Sequence, residues 1–486
     1  MNARIPLGGT LILMLAACTN VGPDYAVPAQ AKINAASAQK PFMGATQSDP
    51  VRGNAPNDWW KQYNDEQLNH LVEEALAANT DLRIAAANLA RSEAVVMEVK
   101  GAADVKASAS ASAVRARQSG EAFLLPTPIP VENLGDAGVN VSYQVDLVGG
   151  LKRAAEAATA DAEASRAALD LARISIVADV ALAYTETCAA GQELEIARHS
   201  LDLQQQNQDA VARLVAGGRR TVVDLPRANK LVDQTRSSIP IYTARQRIAL
   251  YQLAVLTGHT PGEYPREIAS CKQLPKLSSA IPVGDGAALL RRRPDVRQAE
   301  RALAGATARI GIATAALYPN ITLGLSDGAT GILEHMGQKQ TQRWSIGPLI
   351  SWSMPGNLEK ARLRQADAST DAALAHFDAV VLKALQEVEN TLTVLARDLD
   401  RNTALRQARN ETDEASREIQ TLYRAGRLTY LDDLDAQRNL STAEADLATS
   451  DVQVAIDQVK LFLALGGGWE KEVSSGSQPK LTDNDR

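Results

Sequence analysis

The stretch Val139-Asn140-Val141-Ser142-Tyr143-Gln144-Val145-Asp146-Leu147 alternates strictly between apolar and polar side chains. Successive side chains of an extended chain point to opposite faces, so a period of two gathers the apolar ones on one side and the polar ones on the other. A distant counterpart, Trp344-Ser345-Ile346-Gly347-Pro348-Leu349-Ile350-Ser351-Trp352-Ser353-Met354, alternates in the same way except at Leu349. Two weaker segments, Ala107 to Ala113 and Ile321 to Ser326, carry Ser, Thr and Gly on the polar side. Strands of about ten residues with these two faces suit an outer-membrane barrel, with lipid outside and water inside. The alternative is a soluble antiparallel sheet packed on helices. Four strands cannot close a barrel, because the smallest has about eight. Copies must therefore pool their strands. Two copies would give a barrel filled by its own side chains, whereas three leave room for water.

Outward from the strands the pattern becomes helical. Leu151 to Val215 and Leu358 to Arg424 hold helical spacing with no internal Pro, and about 65 residues at 1.5 Å rise make a rod of roughly 95 Å. Helices of that length bury their stripes only against one another. Each rod is expected to reverse at a glycine, Gly218 or Gly426, and to return as a partner helix, with breaks in the returns at Pro240 and near Gly466.

The two reversals are copies of one plan. Leu214-Val215-Ala216-Gly217-Gly218-Arg219-Arg220-Thr221 continues to Asp224 and Ala228, and Leu422-Tyr423-Arg424-Ala425-Gly426-Arg427-Leu428-Thr429 continues to Asp432 and Ala436. Asp81-Leu82-Arg83 running to Leu89 and Asp295-Val296-Arg297 running to Leu303 form a second matched pair. A module of about 200 residues is duplicated, too long a period for a solenoid repeat. The fold expected is mainly α with a small β part: a β-barrel with four strands per protomer, continued by a long α-helical barrel, with internal duplication.

Composition agrees. Of 486 residues only 4% are aromatic, low for large globular cores, while alanine runs such as Ala154, Ala155, Ala157 and Ala158 favour helices packed closely together. The formal net charge of -6 argues against nucleic acid as a partner. Arg4 followed by the apolar run Leu7 to Leu15 reads as a signal peptide over residues 1–17, and Leu15-Ala16-Ala17-Cys18 as a lipobox in which Cys18 takes a lipid anchor. Thr19 is not the Asp associated with retention at the inner membrane, so the outer membrane is expected. Cys188 and Cys271 remain; they make no disulfide framework, and free buried thiols are the default expectation, with a single bridge as the alternative.

Several motifs then fall in a telling order: Val21-Gly22-Pro23-Asp24-Tyr25; Trp59-Trp60; Ala75-Leu76 with Asn79-Thr80-Asp81-Leu82; Leu289-Leu290-Arg291-Arg292-Arg293-Pro294-Asp295-Val296; Ala315-Ala316-Leu317-Tyr318-Pro319-Asn320-Ile321; Leu434-Asp435-Ala436-Gln437-Arg438; and Ala464-Leu465-Gly466-Gly467-Gly468-Trp469. Spread over the mature chain, they resemble the TolC-like outer-membrane efflux proteins, specifically the lipoprotein branch serving resistance-nodulation-division pumps. The resemblance implies a homotrimer in the cell outer membrane. Its α-barrel would cross the periplasm to meet a periplasmic adaptor and an inner-membrane pump, and carry small toxic compounds outward. The exit duct of a type I protein-secretion system is the second transport reading. Two departures stand out: Asp104-Val105-Lys106 occupies the place of Tyr318-Pro319-Asn320, and Met354-Pro355-Gly356-Asn357 differs from the turn at Leu147 to Gly150.

By the same resemblance the periplasmic gate is Leu431, Asp432 and Asp435, with Leu431 in an apolar ring and Asp435 in an acidic one. Arg219, Arg424 and Arg427, with Arg220, are cations placed to hold those carboxylates, and Gly218 and Gly426 are the turns an adaptor would contact. No enzyme, cofactor or metal is expected. The five histidines lack metal-ligand spacing. Gly324-Leu325-Ser326-Asp327-Gly328 matches G-x-S-x-G, but no well-formed helix follows it, and it is expected to be a strand end with an external loop. Residues 18–60 form a lipid-anchored N-terminal and equatorial segment, 61–270 the first repeat, 271–470 the second and 471–486 a flexible tail.

Overall fold

The computed structural model describes residues 20–44, 56–121, 124, 126–354 and 356–467. Cys18 and the expected signal peptide and C-terminal tail lie outside them. The expected element order is present twice: α1 (Glu66–Ala78), α2 (Thr80–Gly101), β1 (Lys106–Arg117), β2 (Val131–Val145), α3 (Gly150–Ala216) and α4 (Asp224–Leu256); then α5 (Gly286–Arg292), α6 (Pro294–Ala315), β3 (Asn320–Ile332), β4 (Gln342–Ser351), α7 (Asn357–Arg424) and α8 (Tyr430–Ala464). The chain divides into two units, one of Met1–Ala29, Asn88–Arg166 and Gln298–Phe377, the other of Gln30–Ala87, Ala167–Arg297 and Asp378–Arg486. Helices α3 and α7, of 67 and 68 residues, are rods of about 100 Å at 1.5 Å per residue.

In the first unit the strands form one antiparallel sheet in the order β1-β2-β3-β4. Residues directly opposite in such a sheet share a face, so the register decides what the faces are. Ala107 meets Val141, Val141 meets Leu325 and Leu325 meets Ile346; Ala109, Val139, Asp327 and Trp344 form the neighbouring row. Tyr143, Leu323 and Pro348 make another row, as do Val145, Ile321 and Ile350. From Ala107 to Ala113 and their partners this face is apolar but for Asp327 beside Trp344; towards the β1–β2 and β3–β4 turns it becomes polar, with Arg115 opposite Asn133 and with Gln342. The opposite face carries Ser108, Asn140, Ser326 and Ser345 in one row and Ser142, Gly324 and Gly347 in another. The alanines of β1 continue the apolar face, so the first hairpin keeps the pattern with smaller side chains. Trp344 at 75% exposure, Ile346 at 72% and Ile350 at 63% stand open on a single chain. Trp352 follows Trp344 by eight positions, a rise of about 26 Å along the strand or about 20 Å along the axis of a barrel whose strands tilt by roughly 40°, which fits within an apolar band about 25 Å tall.

Ser326 does not end a strand. It sits inside β3 with its hydroxyl 2.8 Å from that of Ser345 on the polar face, because strand pairing with β2 runs on to Ile332. The G-x-S-x-G segment therefore forms no strand-to-helix elbow. The N-terminal segment is fastened to the same unit. Val21 N–H donates to the Val148 carbonyl (2.9 Å), and buried Arg153 donates to the Val21 and Gly22 carbonyls and to Asp24 and Glu156.

In the second unit the quoted motifs prove to be fasteners. Asn79 Oδ1 accepts the Asp81 and Leu82 amides at the start of α2, while its Nδ2 donates to the Leu256 carbonyl at the end of α4 (2.9 Å). One buried side chain thereby satisfies two helix ends that would otherwise leave polar groups unpaired. Pro294 opens α6 where its missing N–H costs nothing. The preceding Arg293, buried, donates to Asp295, to Glu387 and to the Ala464 carbonyl. Gly466, at φ +67°, ends α8 against the Arg293 side chain. Trp59 stacks on Phe462 at 4.6 Å, tying the segment before α1 to the end of α8.

Two expectations need correction. Pro240 does not break α4, which runs through it. Pro240 supplies no N–H to the Arg236 carbonyl four residues earlier, and in the turn before it the Ser237 and Ser238 hydroxyls donate back to the Gln234 and Thr235 carbonyls. The thiols are not free: Cys188 of α3 and Cys271 form a disulfide with Cα atoms 4.7 Å apart. Gly191 makes the approach possible, since a Cβ there would lie 2.0 Å from the Cys271 carbonyl oxygen. Across a sequence separation of 83 the crosslink removes chain entropy worth about 4 kcal/mol in the unfolded state. Cys188→Ser combined with Cys271→Ser is expected to lower stability by about that amount. Thermal unfolding of the oxidised protein and of the double variant checks this, and equal midpoints would refute it.

Candidate functional site

The reversals lie in the second unit and close in the same way. Gly218 and Gly426 take φ of +68° and +71°. Around the first, Arg219 N–H donates to the Leu214 carbonyl and Gly218 N–H to that of Val215; around the second, Arg427 donates to Leu422 and Gly426 to Tyr423. This pair of bonds satisfies the last carbonyls of a helix and demands a left-handed residue, which glycine adopts at no steric cost. A Cβ at either glycine would meet nothing within 4 Å. Their conformation, not crowding, calls for glycine, and the surface above each is open on a single chain.

Each return begins with the same Thr–Asp hydrogen bonds, which form a full capping box only at α8, where the Thr429 hydroxyl also accepts the Asp432 amide; at α4 the residue before the helix is Val223. The Thr429 hydroxyl and amide both donate to Asp432 Oδ2 (2.6 and 2.8 Å), and the Thr221 hydroxyl and amide donate to Asp224 Oδ2 (2.9 and 3.2 Å). Asp432 is therefore first a helix-capping residue. The Thr429 hydroxyl, with its amide, holds the Asp432 carboxyl below the usual range.

Beyond the caps the copies diverge. Val222, at 77% exposure, occupies the place of Tyr430, at 5%. Tyr430 packs with Val211 and Ala228, flanked by Val215, Leu225, Tyr423 and Leu434. Arg220 lies over its ring at 4.8 Å and stands 4.0 Å from Asp224. The Tyr430 hydroxyl donates to the Asn207 carbonyl (3.1 Å), Asn207 Nδ2 to Gln437 Oε1 (2.8 Å), and Gln437 Nε2 to Asp433 Oδ2 (3.1 Å). This chain of bonds ties α3 to the first turns of α8. Asp433 is buried and its Oδ1 has no partner. Burial pushes its carboxyl above the usual range, opposed by the Gln437 hydrogen bond and the charge of Arg424.

Leu431 and Asp435 point elsewhere. Leu431 is 45% exposed, and the Asp435 side chain is 63% exposed with its charge 3.4 Å from Arg438. One turn of helix thus separates an inward set, Tyr430, Asp433 and Gln437, from an outward set, Leu431 and Asp435. Among the described residues the ion pairs of the two tips run through Arg220, Arg227 and Arg438 and not through Arg219, Arg424 and Arg427, of which Arg424 acts on Asp433 through its charge. Sequence reading passed over Asn207, Tyr430, Asp433 and Gln437. Their signal was there: 430, 433 and 437 follow the spacing of one helix face.

An antiparallel sheet with one apolar and one polar face, together with twinned helical hairpins of this length, defines a channel-forming outer-membrane transporter. The comparisons agree. The model of a family described as "Outer membrane efflux protein" matches residues 71–259 and 287–467. The chain is 29% identical over 462 residues to Nodulation protein T of Rhizobium leguminosarum bv. viciae, covering 94% of this chain and 92% of that protein. It is 28% identical to the toluene efflux pump outer membrane protein TtgC of Pseudomonas putida, covering 96% of each. Among solved structures, the outer-membrane channel OprN superposes with a TM-score of 0.84 at 32% identity, covering 92% of this chain and 99% of that one. The chain belongs to the outer membrane efflux protein family.

Thr429→Ala is expected to remove the cap of α8 at a cost of about 1 kcal/mol. Amide exchange at residues 431–433 should rise roughly five-fold, and unchanged exchange there would show that the cap carries no such weight.

Proposed function

We propose that three copies of this chain form the exit duct of a tripartite efflux pump in the cell outer membrane. They pass small toxic compounds, of which toluene exported through the Pseudomonas relative is one example, from an inner-membrane pump and periplasmic adaptor to the exterior. The observation that carries this reading is the register-made sheet, apolar on one face and polar on the other, with β1 and β4 as unpaired edges. A sheet with open edges cannot lie in lipid, where every backbone polar group needs a partner. Three copies of four strands close those edges around a lumen wide enough for water. The work is conduction, not catalysis, and the energy comes from the partner pump.

Leu431, Asp432 and Asp435 act as the periplasmic gate. The outward direction of Leu431 and Asp435 supports this role, since side chains left open by one chain are free to meet their copies about a symmetry axis. Asp435 gathers negative charge at the constriction and favours cations there. Arg219, Arg424 and Arg427 supply positive charge at the two tips, and the open surface over Gly218 and Gly426 receives the adaptor. Cys18 carries the lipid. The expected boundaries, 1–17, 18–60, 61–270, 271–470 and 471–486, stand as the division of the chain, and the doubled family match supports the two long repeats.

Expression in a strain lacking its own exit duct, with a defined pump and adaptor, is expected to restore drug tolerance; no gain with any partner pair would count against the duct. Asp435→Ala should raise ion leakage in planar bilayers several-fold, and Cys18→Ser should abolish labelling by radioactive palmitate. Unchanged conductance would remove Asp435 from the gate, and persistent labelling would move the lipid elsewhere.

A further inference from the structure

Away from the tips, α7 and α8 meet along a seam that is polar where a helix pair is ordinarily apolar. At one level buried Asn402 donates to Asp451 (2.7 Å) and to the Ser450 hydroxyl, and Arg406 joins the same Asp451 carboxylate at 2.9 Å. Nearer the tip, Arg409 bridges Asp413 on its own helix and Glu444 on α8 (3.3 and 2.9 Å). These levels pair opposite charges. The level on the other side of Asn402 instead sets two acids together, with one lysine beside them.

There Asp457 of α8, only 2% exposed, faces Asp398 of α7. Asp457 Oδ1 accepts from Gln453 Nε2 at 2.9 Å, and the Lys460 ammonium lies 3.8 Å away. Oδ2 is buried and receives no hydrogen bond from any amide, hydroxyl or cation; the group within hydrogen-bonding reach of Asp457 is the Asp398 carboxyl. A carboxylate oxygen sealed from water without a donor is costly, and a second carboxylate beside it makes full ionisation costlier still. Of the neighbouring charges, Arg397 pairs with Asp400 on α7, and Asp58 with Lys61 on the segment that packs against Phe462; Arg401 stands exposed one turn from Asp398. The chemistry that satisfies the orphaned oxygen is a proton held between the two acids.

We propose that Asp457 and Asp398 share one proton across the α7–α8 seam, and that its loss to water loosens the pairing of these two helices. The joint is a proton-locked one, closed in a mildly acidic periplasm and eased near neutrality. It stands apart from the gate residues and does not depend on which compounds the duct conducts.

Burial, with Asp398 alongside, pushes the Asp457 carboxyl up from 3.8 to about 6. An acid raised in the folded state contributes its stability in full below the unfolded value and loses it as pH climbs through the folded one. Between pH 5 and 7 the equilibrium for local openings that expose Asp457 should therefore rise about ten-fold. Hydrogen exchange of the full-length protein in detergent, corrected for the intrinsic pH dependence of amide chemistry, reads this at residues 452–460. The first turn of α6 serves as an internal reference. The wild type is expected to show the ten-fold rise, Asp457→Asn to show none, and Asp398→Asn to displace it to lower pH because the like charge is gone. An unchanged rise in Asp457→Asn, or a flat wild-type profile between pH 5 and 7, overturns the proposal. Should Asp457→Asn fail to fold, an undisplaced titration in Asp398→Asn overturns it equally.

Discussion

The constraint on which the structure turns is that one small sheet must satisfy two solvents and has two unpaired edges. Its apolar face suits only a hydrocarbon phase and its polar face only water. Backbone groups along β1 and β4 cannot be left open in lipid. No rearrangement within a single chain of four strands meets all three demands. Association is therefore built into the strand pattern, and the open Trp344, Ile346 and Ile350 are its visible consequence.

The helical part solves a different problem. Rods of about 100 Å have many ends and few large side chains, so they gain stability by fastening ends to one another. Asn79 caps two helices at once, Arg293 gathers the starts and ends of α6 and α8 with Glu387 of α7, and Trp59 stacks on Phe462. Arg293 is the buried member of its cluster, while the Asp295 and Glu387 side chains are 24% and 39% exposed, so water screens both pairs. The motifs that make the family recognisable are mostly these fasteners. They mark architecture.

Duplication supplied two equal hairpins, and divergence made one of them special. Both keep the left-handed glycine and the Thr-Asp hydrogen bonds, because both must end one helix and begin another within a few residues. Only the second carries a buried tyrosine and a buried acid linked to α3. Adjacent carboxylates there are driven apart by environment: donors hold Asp432 low, and burial pushes Asp433 up.

By itself the sequence determined what depends on local period and local backbone preference. Alternation marked β2 and β4, unbroken helical spacing placed α3 and α7 within a residue of their ends, and Gly218 and Gly426 marked the reversals, because left-handed backbone is a property of the residue itself. Only the tertiary structure decided what depends on register and on contacts between distant segments. It joined the alanines of β1 to the apolar face and carried β3 through Ser326. It brought Cys188 to Cys271, since no spacing reveals a 4.7 Å approach across a long loop. It let α4 run through Pro240, and it turned Asp433 and Asp457 inward while leaving Asp435 outside. In each case the same residue types could have stood on either side of a helix, and the packing of neighbours, invisible in one dimension, chose between them.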